Sequence, residues 1–111
     1  MTQPLQRLLE DLASNAVHVA GLELEHARIV AASESSNGDD EHDPEGATIA
    51  YERQQVIALL HQARRTREDL ERALVAHEQG VYGVCEQCGV PVRPERLKAL
   101  PSVRTCLTCA T

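Results

Sequence analysis

The stretch that decides the fold is Cys85-Glu86-Gln87-Cys88-Gly89, answered after seventeen intervening residues by Cys106-Leu107-Thr108-Cys109. Each C-x-x-C pair forms a tight knuckle presenting two sulfurs, and Gly89 stands where the first knuckle needs a backbone turn. Two such pairs at this separation fit a four-thiolate, tetrahedral zinc site. The alternatives are two disulfides or a redox pair. Disulfides are disfavoured in a cytosolic chain, and thioredoxin-like chemistry needs a strand–helix context missing here. Cys85, Cys88, Cys106 and Cys109 are therefore the expected ligands of one Zn²⁺. Protein fills all four coordination positions, leaving none for water or substrate, so the site reads as structural, not catalytic. Four thiolates and one Zn²⁺ take the formal charge from −6 to about −8.

Around the cysteines, Pro94 to Leu100 is expected to be a short helical segment closed by Pro101. Arg93, Arg96, Lys98 and Arg104 are opposed by Glu86 and Glu95 alone, which makes residues 81–111 the most basic part of the chain. The plainer reading is a solvated surface around an anionic metal cluster. The functional one is a small basic face, carrying Arg93, Arg96 and Lys98, that grips an acidic protein surface. No aromatic residue stacks among these cations, which weakens a single-strand nucleic-acid reading.

Upstream the character changes. Residues 1–80 hold no cysteine, and the whole chain of 111 residues has no Phe or Trp, with Tyr51 and Tyr82 its sole aromatics. A short chain with so little bulky apolar volume needs a staple, long helix pairing or a partner. Good helix formers dominate. Gln3 to about Ala32 reads as one helix, with Leu5, Leu8, Leu9, Leu12, Ala16 and Val19 forming an apolar stripe. The pattern blurs after Gly21, where a helix is expected to be weak, although Leu22, Ile29 and Val30 can continue it, and turn formers over 33–38 break it.

A second helix is expected from Pro44 to Gln79. Asp43 is a good cap, Pro44 suits the first helical position, and Glu45 complements the positive end of the helix dipole. Ile49, Val56, Ala63, Leu70 and His77 recur every seventh residue, with Leu59 or Leu60 and Leu74 between them. That is a coiled-coil seam over about four heptads, on a rod about 54 Å long. Glu68 with Arg72 and Arg67 with Glu71 can pair four residues apart, and Gly80 is a natural stop. Two striped helices joined by a short polar segment predict an antiparallel hairpin over residues 1–80. The competitor is an intermolecular coiled coil, but closing a short loop costs little entropy.

The joint is acidic. Asp39, Asp40, Glu41, Asp43 and Glu45 place five carboxylates in seven positions, with His42 among them and no Lys or Arg. It can be a solvated turn leading into a helix N-terminus, where acids are favoured anyway. A weak Mg²⁺ or Ca²⁺ site is a further reading, although the spacing is not that of an EF-hand. A third is a working tip, carried by the rod into a charged cavity of a partner.

Net charge −6 makes the chain a poor default binder of phosphate backbones, whose affinity comes from Lys and Arg. The N-terminal stretch lacks the uninterrupted apolar run of a secretory signal, and no run is long enough to span a membrane. A soluble, cytoplasmic, monomeric protein is the expectation.

Read together, Gly80-Val81-Tyr82-Gly83-Val84-Cys85-Glu86-Gln87-Cys88-Gly89, Arg96-Leu97-Lys98-Ala99-Leu100-Pro101 and Cys106-Leu107-Thr108-Cys109 resemble the DksA/TraR-type four-cysteine zinc-finger family of bacteria. The resemblance is specific in the C-terminal quarter; the helical hairpin agrees in architecture. It implies a protein that binds RNA polymerase, lays its zinc end at the rim of the secondary channel and inserts its coiled-coil tip. It implies regulation of initiation without sequence-specific DNA binding. The family's tip is often acidic-x-x-acidic-x-Ala. Here Glu45 and Ala47 fit that pattern, while His42 takes the first acidic position with Asp43 beside it. Asp40, Asp43, Glu45 and Ala47 are the candidate tip residues. Alarmone binding is not carried over, because Leu100 precedes Pro101 and only Ala110 and Thr111 follow Cys109.

The sequence thus predicts a mainly α protein, a two-helix coiled-coil hairpin followed by a zinc finger over 81–111, acting as a non-enzymatic transcription regulator. The alternative is a zinc-stapled coiled-coil adaptor or dimerisation protein with no polymerase role. An enzyme is the least favoured class, since the metal site is closed and the acidic turn is no desolvated cleft.

Overall fold

Runs of good helix formers without an internal proline become two long helices in the computed structural model, α1 (Gln3–Ser35) and α2 (Pro44–Glu78), followed by the short α3 (Pro94–Ala99). The structure describes residues 3–35 and 44–110. Helix α1 continues three residues past the expected Ala32 and runs unbroken through Gly21. A Cβ at Gly21 would meet nothing within 4 Å, so that glycine costs helix propensity and no packing. Helix α2 starts at the expected proline. It ends in a Schellman motif: Gly80, at φ 77°, donates its N–H to His77 O and Val81 donates to Ala76 O. Only a residue comfortable at positive φ lets the chain turn off the helix there.

The chain falls into two compact units. In Ala16–Arg65, Val19, Ile29, Val56, Leu60 and Ala63 form the core, with Leu22 and Ile49 packed against it. In Met1–Asn15 with Thr66–Thr111, the core is Leu8, Leu70 and Ala73, joined by Leu12 and Tyr82. Each core takes residues from both helices of the same chain, early α1 meeting late α2 and late α1 meeting early α2. That is the antiparallel hairpin.

The seam of α2 follows its sevenfold repeat, with Val56, Ala63 and Leu70 buried. Between them Leu60 is buried while Leu59 stays 46% exposed, and nearer the end of α2 Ala73 is buried where Leu74, the expected residue, is half-buried. The α1 stripe needs correcting. Ala16 is exposed and Asn15 is buried in its place, and Leu9 is half-exposed. Leu8, Asn15, Leu22 and Ile29 occupy one heptad position, Leu5, Leu12, Val19 and His26 the other, and all eight are buried or half-buried. The seam therefore persists past Gly21 through Leu22 and Ile29, the residues expected to continue it, while the polar Asn15 and His26 blur the pattern. Of the two expected pairs along α2, Arg67–Glu71 forms at 3.0 Å, whereas Glu68 and Arg72 have no ion-pair partner among the described residues. No helix among the described residues is long and apolar enough to cross a membrane.

Beyond α2, the chain doubles back in a minimal antiparallel bridge, Val84 opposite Pro91. Cys85 N–H donates to Val90 O at 2.8 Å and Val92 N–H to Gly83 O at 2.7 Å. Helix α3 follows and closes just ahead of Pro101, as expected, with Leu100 N–H donating to Arg96 O.

Candidate metal centre

Two knuckles bring the four cysteines together. In the first, Gly89 sits at φ 75° and returns its N–H to Cys85 O at 2.9 Å, so the chain reverses within one C-x-x-C. In the second, Cys109 N–H donates to Cys106 O at 3.1 Å. The knuckles are bound to one another through Glu86 N–H, which donates to Arg104 O at 2.9 Å. As a result the Sγ atoms of Cys85, Cys88, Cys106 and Cys109 all lie within 4.8 Å of one another.

That spacing can be tested against an ion. Four sulfurs about 2.3 Å from a tetrahedral Zn²⁺ stand about 3.8 Å apart. Cys88 Sγ and Cys106 Sγ, one from each knuckle, are separated by 3.6 Å. The donor set and its size fit one structural zinc ion. Cys85 is the buried corner, 2% exposed, while Cys88 is open to solvent.

The metal-free thiols are not equivalent. Backbone amides, that of Cys106 above all and then those of Cys88 and Gln87, stabilise the Cys85 thiolate and bring its pKa down to about 6. Cys106 is also lowered, chiefly by the backbone of Cys109. Hydrogen bonding to the sulfurs of Cys106, Cys85 and Cys88 pushes Cys109 up to about 12. Zinc binding takes all four sulfurs as thiolates, so it releases protons from this cluster and weakens as the pH falls.

Three further bonds fasten this site to its surroundings, and none was visible in the sequence. Arg7, on the first turns of α1, donates from Nη1 to Lys98 O at 2.7 Å. Tyr82 donates its hydroxyl to Pro101 O at 2.9 Å, and burial raises its pKa, keeping the proton in place for that bond. Arg96 donates from Nε to Thr105 O at 3.1 Å, immediately before Cys106. The scarcity of aromatics marks Tyr82 as worth a role; Arg7 carries no comparable signal.

The other expected site residues fare differently. Arg93 and Lys98 are exposed, whereas Arg96 is half-buried and committed to Thr105. Glu45 and Ala47 lie in the first turns of α2, Ala47 exposed. Asp40 and Asp43 lie outside the described residues.

Residues 80–111 match the prokaryotic dksA/traR C4-type zinc finger. The chain is 46% identical over 67 residues to the uncharacterised protein YteA of Bacillus subtilis, a match covering 60% of this chain and 28% of that protein. It is 37% identical over 71 residues to general stress protein 16O of B. subtilis, covering 64% of this chain and 44% of the relative. The matched stretch thus spans less than half the length of either relative. Transcription factor DksA2 of Pseudomonas aeruginosa has a similar fold, with a TM-score of 0.77 at 20% identity over 93% of this chain and 74% of that one.

Proposed function

We propose, taking as premise the dksA/traR-type C4 zinc finger that residues 80–111 match, that this chain is a non-enzymatic regulator of transcription acting by binding RNA polymerase. The observation that carries the reading is a closed four-cysteine cluster on a helical hairpin with the fold of a transcription factor. A metal enclosed by four thiolates has no position for a substrate, which supports a scaffolding role for the zinc and a non-catalytic protein.

In this reading the finger and the base of the hairpin provide the docking end, with Arg93 and Lys98 available on its surface. The acidic segment between α1 and α2 enters the secondary channel. Asp40, Asp43 and Glu45 would bring negative charge towards a Mg²⁺-containing centre and basic groups, where desolvated carboxylates are favourable when they find cationic partners. Ala47 would let the first turn of α2 approach closely. The protein would work as a cytoplasmic monomer, without reading DNA sequence.

The test is co-purification with core RNA polymerase, followed by transcription in vitro. The zinc-loaded protein is expected to be retained by the enzyme and to alter transcript yield. The double change Asp43→Asn with Glu45→Gln should preserve helicity, zinc content and binding while removing the effect on transcripts. Absence of binding would refute the polymerase reading; equal effects of both proteins would refute the tip.

A further inference from the structure

Helix α1 is apolar on two faces. One packs on α2. The other is a strip of Leu9, Ala13, Val17, Ala20, Leu24 and Ala27, spaced four and three residues apart. Every member is exposed, Leu9 at 50%, Val17 at 74% and Leu24 at 55%. Ala13, Ala20 and Ala27 recur every seventh residue, as do Val17 and Leu24, which is the period by which one helix pairs with another. Exposed apolar residues scattered singly are ordinary, but a continuous strip marks an interaction surface. This one is a face of α1 alone, about 27 Å long, and no charged residue interrupts it.

Charge and size select what covers it. Glu10 and Arg28 stand eighteen residues apart, five full helical turns, on the same edge of the strip. Glu10 accepts a hydrogen bond from Gln6 Nε2 at 3.2 Å, and Arg28 has no ion-pair partner among the described residues. A second α1 laid antiparallel about a two-fold axis near residue 19 brings Glu10 of each copy to Arg28 of the other. In that register Leu24 lies over Ala13 of the second copy and Val17 over Ala20, a large side chain on a small one at each level. Ala16 and Gly21 stand beside the axis, and a Cβ on Gly21 would meet nothing within 4 Å, so two helices can approach closely there. No carboxylate opposes another, since Ser14 is level with Glu23 and Leu12 with Glu25. A parallel pair would instead set Glu10 beside Glu10 and Arg28 beside Arg28, which like-charge repulsion disfavours.

We infer that the strip formed by Leu9, Val17, Ala20 and Leu24 is a self-association surface, on which a second copy of this chain docks its own α1 antiparallel, with Glu10 and Arg28 paired twice across the axis. A strip of this length and one helix wide is small beside the roughly 1,200 Å² of a standard interface. The dimer is therefore reversible and forms as concentration rises; the monomer of the polymerase reading is its dilute form. The inference goes beyond that reading and does not rest on it, because neither the finger nor the acidic segment contributes to the strip.

The experiment is analytical sedimentation of the zinc-loaded full chain from micromolar to millimolar concentration. The mean mass should rise from one chain towards two, and added salt should weaken the association. Glu10→Arg and Arg28→Glu each set like charges together at both ends of the pair, so either should lower the association constant more than tenfold. An equal mixture of these two variants should restore it, because each supplies the charges the other lacks, and restoration also shows that both fold. Ala20→Glu brings two carboxylates together at the axis and should abolish association with helicity and zinc content unchanged. The mass of one chain at every concentration would overturn the inference and leave the strip to a helix of another protein. Association that survives Ala20→Glu, or charge variants that the mixture does not restore, would overturn it equally.

Discussion

Around the finger, the chain is fastened by bonds between residues far apart in sequence, Arg7 to Lys98, Tyr82 to Pro101 and the four converging cysteines. In Ala16–Arg65 the fastening is a narrow seam of Val, Ile, Leu and Ala between α1 and α2, with the exposed Arg64–Glu23 pair spanning the two helices. Both units use the same two helices, yet one adds a metal site and its hydrogen bonds to a small apolar core and the other rests on apolar burial. The difference teaches where a chain without Phe or Trp finds its stability. Metal coordination replaces aromatic volume at one unit, and helix pairing replaces it at the other.

The comparison breaks most visibly if the metal is taken away. Cys106→Ser removes one thiolate, and structural zinc contributes about 10–16 kcal/mol of apparent binding free energy in small fingers. Zinc retention should be abolished and amide exchange protection lost across residues 81–110, while Ala16–Arg65 keeps its helical protection. Metal analysis with hydrogen exchange checks both. Uniform loss of protection over the chain would show that the seam depends on the metal and that the two means of fastening are one.

The reciprocal change strikes the seam. Leu60 is 6% exposed in the core of Ala16–Arg65, and a buried Leu→Ala change costs about 2–5 kcal/mol in lost transfer free energy and cavity formation. Urea unfolding of Leu60→Ala should show that loss while zinc content stays complete. A simultaneous loss of metal would contradict the independence of the two regions.

These outcomes bear on how much could be read from residues alone. The zinc ligands were legible because four thiols in two C-x-x-C pairs leave few chemical alternatives, and the structure converges them. The α2 seam was legible because Val56, Ala63 and Leu70 repeat every seventh residue with no polar interruption. In α1 the seam carries Asn15 and His26, while Val17 and Leu24 are 74% and 55% exposed. Apolar residues outside the seam and polar ones inside it scramble the periodic signal. A polar residue inside a seam can fix register at a cost in stability, which gives Asn15 a physical reason that hydrophobicity cannot express. The bonds from Arg7 and Tyr82 depend on distant carbonyls and leave no local trace.

A smaller effect sharpens the finger side of the comparison. Tyr82→Phe keeps the ring, which stands tilted at 6.0 Å from His77, and removes the hydroxyl that Pro101 O accepts. Losing one such hydrogen bond costs about 1 kcal/mol. The melting temperature should fall by a few degrees with zinc still bound, and faster exchange should be confined to the residues around Pro101. Unchanged stability would mean that the metal alone fixes the position of this segment.

The smallest effect belongs to the ion pair across the seam. Arg64 Nη2 lies 3.3 Å from Glu23 Oε2, but both side chains are about half exposed, at 50% and 55%. Water screens such a pair, and holding two long side chains in one geometry costs entropy, so the coupling should fall below about 1 kcal/mol. A double-mutant cycle with Arg64→Ala and Glu23→Ala measures it, and raising the salt concentration should reduce it further. A coupling well above that limit would mean that α1 and α2 are joined in Ala16–Arg65 by charge as well as by apolar contact. The contrast with the hydrogen-bonded finger unit would then narrow, and the cost of Leu60→Ala should come out near the lower end of its range.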